Sequence, residues 1–196
     1  INIEDAKRLG IYINLVQDEN SGIKVPKDLK DSINFNVDAN GVLQITFDMK
    51  GNEVAKRRLY TTLIVYGKRI KQVNIANAND VFLDATADSL TLNVNKSTNI
   101  SLNKDVTLNA LKIVTTDVKS MHLNEIAVKS LTVNLNGTNF QSDQSSYDNL
   151  SITASGKSEI EINGSDIEKD KKYFTVIYTQ EGLSHFEKME ILSKKF

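Results

Sequence analysis

The stretch Leu90-Thr-Leu-Asn-Val94, closed by Ile100-Ser-Leu-Asn103, returns as Leu111-Lys-Ile-Val-Thr115 with Met121-His-Leu-Asn124. It returns again as Leu150-Ser-Ile-Thr-Ala154 with Ile160-Glu-Ile-Asn163. Counted from each leading leucine, offsets 0, 2, 4, 10 and 12 are apolar apart from Thr115, and offset 13 is asparagine every time. Leu131 leads a further copy, so the steps between leaders are 21, 20 and 19 residues. Its first run holds as Leu131, Val133 and Leu135, while its second dissolves into the polar stretch 137–147. A shorter copy precedes them, with Val73 and Ile75, then Val81 and Leu83, and Asp84 at the corner.

Alternation with period two is the signature of strands, and the polar separators Lys96-Ser-Thr-Asn99, Thr116-Asp-Val-Lys119 and Ser155-Gly-Lys-Ser158 are its turns. Two strands in about 20 residues with no helix between them make one coil of a parallel β-solenoid. An antiparallel sandwich would also show many short alternating strands, but it gives no reason for a shared register. The reading is therefore an all-β, single-stranded parallel β-helix whose coils run to about 20 residues, with inward aliphatics in columns along the axis. Repeated corner asparagines are expected to take the left-handed conformation and stack amide on amide.

The same pattern organises the ends. Gly10–Val16, Val42–Phe47 and Leu59–Val65 alternate as strands, Lys27–Ile33 reads as a short helical turn, and Asp38-Ala-Asn-Gly41 as a reverse turn. The chain is expected to be one solenoid domain over 1–196: N-terminal coils in 1–72, regular repeats in 73–163, and a charged cap in 164–196. Tyr173–Tyr178 and Phe186–Leu192 read as strands within that cap. Residues 164–196 hold 12 charged side chains, a composition suited to shielding an open sheet edge.

Composition removes several function classes. Of 196 residues, 40% are hydrophobic and 25% charged, with a formal net charge of -1, so a core is available and a globally basic nucleic-acid binder is not. No apolar run approaches the roughly 18–20 residues of a membrane span. There is no cysteine and only two histidines, which removes disulfide scaffolds, thiol catalysis and most zinc sites. No cofactor is expected. The chain opens on Ile1, which reads as a processed start, with any signal peptide or lipid anchor already removed.

Candidate chemistry is sparse. His122 falls between inward positions and should face solvent, in line with Ser101 and Glu161, which form neither a triad nor a ligand set. His185 has no partner that spacing assigns. Glu159 and Glu161 share an outward strand face, so the paired carboxylates of glycoside chemistry are conceivable; plain surface charge explains them as well. Residues 50–71 carry Lys50, Lys56, Arg57, Arg58, Lys68, Arg69 and Lys71 against Glu53 alone. Such a patch could meet an anionic glycan or a membrane surface, or simply solubilise an edge. Phe140 and Tyr147 sit in the irregular stretch, where they either form a contact surface on an extruded loop or fold back over the coil.

Several segments resemble the secreted bacterial auto-transporter adhesin "head GIN" domain family. The carriers are Ile11–Val16, Ile33-Asn-Phe-Asn-Val37 before Gly41–Phe47, Leu63-Ile-Val-Tyr66, and Ile70–Leu83 with its turn Asn77-Ala-Asn-Asp80. The resemblance covers about residues 11–162 and implies a right-handed parallel β-helix exported to the periplasm or cell surface. It brings no catalytic residues with it. The expected role is a non-catalytic binding or adhesion module for glycans or a host or cell-envelope surface, with no nucleic-acid partner. A β-helix polysaccharide lyase or hydrolase is the alternative from another class, and a structural stalk or assembly element is a third. Phe140, Tyr147, Lys56, Arg57, Arg58, Lys68 and Arg69 form the candidate binding surface.

Overall fold

The leucines that set the repeat lie over one another. Leu111 pairs in register with Leu131, and Leu131 with Leu150, always between parallel strands. Ile113, Val133 and Ile152 make the adjoining inward column. The computed structural model describes residues 1–163 and 173–178, and in it the chain is a β-solenoid of about 4 turns with about 21 residues per turn. The expected cap over 164–196 lies outside the described residues except for the strand Tyr173–Tyr178.

The strands are β1 (Asn2–Ile3), β2 (Gly10–Gln17), β3 (Gly22–Lys24), β4 (Ile33–Val37), β5 (Leu43–Phe47), β6 (Tyr60–Gly67) and β7 (Gln72–Ala76). They continue as β8 (Asp80–Asn124), β9 (Ala127–Asn136), β10 (Asn139–Asp143), β11 (Ser146–Ser155), β12 (Ile160–Asn163) and β13 (Tyr173–Tyr178). A 3-10 turn spans Lys27–Ser32 and one short helix, α1, spans Glu53–Arg57. One sheet face is built from β5, β1, β7, parts of β8, then β9, β11 and β13. A second face carries β6, β2, other parts of β8, β10 and β12. Leu108, Val128 and Tyr147 stack along the short third side.

Coil corners are made by single left-handed residues: Asn77, Lys96, Asp117, Gly137 and Gly156 at one corner, Glu125 and Gln144 at another. This differs from the expected asparagine column, because the left-handed turn falls on Glu125 and not on Asn124. Asn163 still reaches the neighbouring coil, its Nδ2 donating to Asp143 Oδ1 at 3.0 Å. Non-glycine residues take this conformation at a cost of about 1 kcal/mol each. Gly156 is a position where glycine matters, because a Cβ there would stand 3.2 Å from the Gly137 backbone nitrogen.

Stacking order departs from chain order at the N-terminal end. β1 pairs with both β5 and β7, and β2 with both β6 and β8, all in parallel. The coil opened by the first residues is therefore the second in the stack, and residues 43–67 make the outermost one. β4 lies antiparallel on β5 and β3 antiparallel on β6, so the outer coil ends in reversed strands. Leu29 of the 3-10 turn is buried against this end. The β4–β5 turn is held by Asp38, whose Oδ1 accepts from the amides of Asn40 and Val42 at 2.9 and 3.0 Å. The Gln44 side chain donates to the other oxygen, and these bonds hold the Asp38 carboxyl below its usual range.

The irregular stretch 137–147 completes a full coil. Phe140 pairs with Met121 on one side and Ile160 on the other, and Ser142 with Leu123 and Ile162. Phe140 comes nine residues after Leu131, where the other copies reach this column at ten. The coil is one residue shorter at its first corner, and Ser142 replaces an aliphatic. Its hydroxyl is satisfied inside by the Tyr147 hydroxyl at 2.7 Å, and a buried pair of this kind costs little once both partners are bonded.

Candidate functional site

The structure settles where each expected contact residue points. Phe140 and Tyr147 are each only 2% exposed, so their rings fill the coil and the extruded-loop reading is replaced by the one in which they fold back. Burial pushes the Tyr147 phenol up in pKa. The basic run divides. Lys56 pairs with Glu53 at 2.7 Å, Arg58 with Asp28, and Lys68 with Glu19 at 2.8 Å. Arg57 and Arg69 are exposed and make no ion pair among the described residues. Lys68 and Arg69 follow the far end of β6, a strand roughly 25 Å long, so they do not meet the other cations.

Lys56 and Arg58 do converge, together with Lys50 of the same run and with Lys7, a cation the run alone could not indicate. Lys7, Lys50, Lys56 and Arg58 line a cleft of about 590 Å³ with Asp48, over an apolar floor of Leu9, Phe47 and Met49. It opens where the outer coil departs through α1 and leaves the corner at Lys7 uncovered. Lys7 and Arg8 are both left-handed there, and Asp5 bonds the Lys7 amide and ammonium at 2.9 and 2.5 Å. These ion pairs are solvent-exposed and screened, so each is exchangeable for a ligand anion.

The second sheet face carries a feature that alternation made visible but did not single out. Tyr12 on β2 pairs with Phe82 on β8, both pointing outward, and their rings stack at 4.2 Å with planes 6° apart. Tyr60 on β6 tilts against both, 5.9 Å from Tyr12 and 6.4 Å from Phe82. Tyr12 and Tyr60 remain 40% and 42% exposed. Gly10 lets the Tyr60 ring lie across β2, and the Tyr60 hydroxyl reaches Asp80 at 3.1 Å. That carboxylate raises the Tyr60 pKa, because the bond is made by the protonated phenol.

Gly10→Ala is expected to drive the Tyr60 ring off the sheet, since a Cβ there would stand 2.1 Å from a ring carbon. The phenol then loses Asp80 and titrates closer to an ordinary tyrosine, readable by alkaline titration with ring-labelled tyrosine. An unchanged Tyr60 titration would contradict this packing.

Other outward positions stack as polar columns. Asn93 Nδ2 donates to Asn74 Oδ1 at 2.7 Å, Thr98 Oγ1 to Asn79 Oδ1 at 3.2 Å, and Ser120 Oγ to Asn99 Oδ1 at 3.1 Å. His122 is half-buried in the outward column, paired with Gln141, which pairs in turn with Glu161. Glu161 accepts from Asn163 at 2.8 Å, and Glu159 is exposed at the preceding turn. His185 lies outside the described residues. Among the described residues no three His, Asp or Glu side chains converge as a metal site, and no helix is long and apolar enough to cross a membrane.

Stacked parallel strands with polar and aromatic side chains in outward columns define a β-solenoid. More particularly, the chain belongs to the family described as "Putative auto-transporter adhesin, head GIN domain", whose sequence pattern matches residues 8–169. Among curated proteins none is similar to this chain. Among solved structures it is similar to a "Putative lipid binding protein" from Parabacteroides distasonis ATCC 8503, at 12% identity over 91% of this chain and 92% of that one, with a TM-score of 0.37. It is also similar to a "putative adhesin" from Bacteroides fragilis NCTC 9343, at 12% identity over 91% of each chain, TM-score 0.37. A third, a "putative adhesin" from Parabacteroides merdae ATCC 43184, has 14% identity over 90% of each chain and a TM-score of 0.35.

Proposed function

We propose that this chain is a non-catalytic module of an exported protein, attaching to glycans on a cell-envelope or host surface. The observation that carries the reading is the exposed aromatic ladder Tyr60–Tyr12–Phe82, set among amide and hydroxyl columns on a stiff sheet. Sugar rings offer one apolar face and a rim of hydroxyls, and such a surface matches both. Outward groups recur at about one strand spacing, roughly 4.8 Å, so a repetitive polymer can make many weak contacts at once. Glu159, in the turn before β12, and Glu161, on β12, lie two residues apart in a single coil and do not face each other across a groove.

Immobilised glycans and purified envelope polysaccharides test this. Retention on at least one glycan class is expected, with no new reducing ends in the bound polymer. Release of reducing ends would instead establish the hydrolase or lyase, and no retention on any glycan would remove the reading. The cleft at Lys7, Lys50, Lys56 and Arg58 supports a second contribution, from an anionic polymer. If that cleft dominates, affinity falls steeply as ionic strength rises, since exposed charges are screened within about 10 Å at 0.1 M salt.

A further inference from the structure

We propose that the gap between Phe82 and His122 on the second sheet face is a slot for one neutral pyranose ring, with Ser101 as its floor. The proposal rests on the glycan-binding reading above and names the sugar class and its place. The Tyr12 and Phe82 centroids are 4.2 Å apart with planes 6° apart. Rings that close and that parallel must face each other along the stacking axis, so they stand up from the sheet and Phe82 turns its second face toward the next coil.

The next rung is small. The Asn99 amide nitrogen bonds the Asn79 carbonyl at 3.2 Å, which sets Asn99 beside Asp80 and therefore Ser101 beside Phe82. The following coil brings Ser120 beside Asn99, with 3.1 Å between Ser120 Oγ and Asn99 Oδ1, and hence His122 beside Ser101. Phe82 and His122 are thus two strand spacings apart, about 9.6 Å, with a serine between them. A six-membered ring seated over Ser101 lies about 4.8 Å from either wall, within the stacking range. It occupies the place the next rung of the aromatic ladder, beyond Phe82, would take.

The floor and its flank are polar and uncharged. Asn99 Nδ2 donates to Ser101 Oγ at 3.2 Å, which leaves its second N–H and the serine hydroxyl available to sugar oxygens. Within residues 80–85, the part of β8 that carries Phe82, the ionisable side chains are Asp80 and Asp84, both acidic. A uronate, sulfate or phosphate next to the Asp80 carboxylate would be repelled, so the slot favours a neutral hexose.

Ser101→Tyr tests the slot by filling it. Tyrosine is well tolerated on an outward strand position, so thermal unfolding should match the parent chain or improve on it. Affinity for the neutral glycan selected on the array is expected to drop about 100-fold, and Phe82→Ala to weaken it about tenfold. Titrating the unmodified protein with methyl hexopyranosides should move the His122 and Phe82 ring resonances, and Ser101→Tyr should abolish the movement. If the parent chain binds a glycan and both variants bind it equally well, the slot is overturned while the glycan-binding reading stands. Binding confined to acidic glycans and lost with salt would also overturn the slot. If the parent chain binds no glycan, both fall together.

Discussion

Ile113→Asp is expected to abolish the cooperative unfolding transition, leaving a chain without the circular-dichroism signature of stacked strands. Ile113 is fully buried and pairs in register with Val133. Truncating a buried isoleucine alone costs about 2–5 kcal/mol. A carboxylate among aliphatics without a partner adds several more, against a total stability of about 5–15 kcal/mol for a domain. Each coil of a solenoid is stabilised by its neighbours, so losing one interior coil weakens both sides of the stack. Two companions calibrate the result. Ile113→Val should cost about 0.5–1.5 kcal/mol, and Lys112→Asp, on the outward side of the same strand, within about 0.5 kcal/mol. Denaturant titration measures all three, and a cooperative transition in Ile113→Asp close to that of the parent would show that this column is not core.

Removing residues 1–17 is expected to unfold the outermost coil while sparing the repeats beyond it. β1 and β2 form the layer between residues 43–67 and the coil of β7 and β8. Without that layer, Ile45, Leu63 and Val65 lose the Ile3, Ile13 and Leu15 column they pack on. Amides of 43–67 should then exchange freely, and trypsin should cut at Lys50, Arg57 or Lys68, while 127–155 stays protected. A peptide of residues 1–17 supplied in trans should restore the protection. Undiminished protection in the truncated chain would mean that the outer coil stacks directly on β7 and β8, and would refute the interleaved order.

How far the sequence could be read is clearest at particular residues. Leu90, Leu111 and Leu150 announce the columns because inward and outward sides alternate residue by residue, a local property that survives in any coil. The turn at Asp38–Gly41 and the helical turn ahead of Ile33 were legible for the same reason, from short-range hydrogen bonding and backbone preference. Phe140 was not, because its coil drops one residue and puts Ser142 in an aliphatic column. Only the approach of the Tyr147 hydroxyl makes that serine acceptable inside. The basic residues of 50–71 read as one patch, yet a strand length separates Lys68 and Arg69 from Lys56 and Arg58, and Lys7 completes the cleft from another coil.

The chain alone therefore determined its repeating unit: the length of a coil, the side of each strand that faces inward, and the polar separators that turn one of its corners. Those follow from steric and hydrophobic rules acting over a few residues. Tertiary structure decided which coils become neighbours, because parallel stacking accepts any coil of matching width and the sequence carries no ordinal label. That choice seats the first strands inside the stack. It also lays Tyr60 over Gly10 and Tyr12 against Phe82, so the surface offered to a ligand is assembled from residues 50 and 70 positions apart.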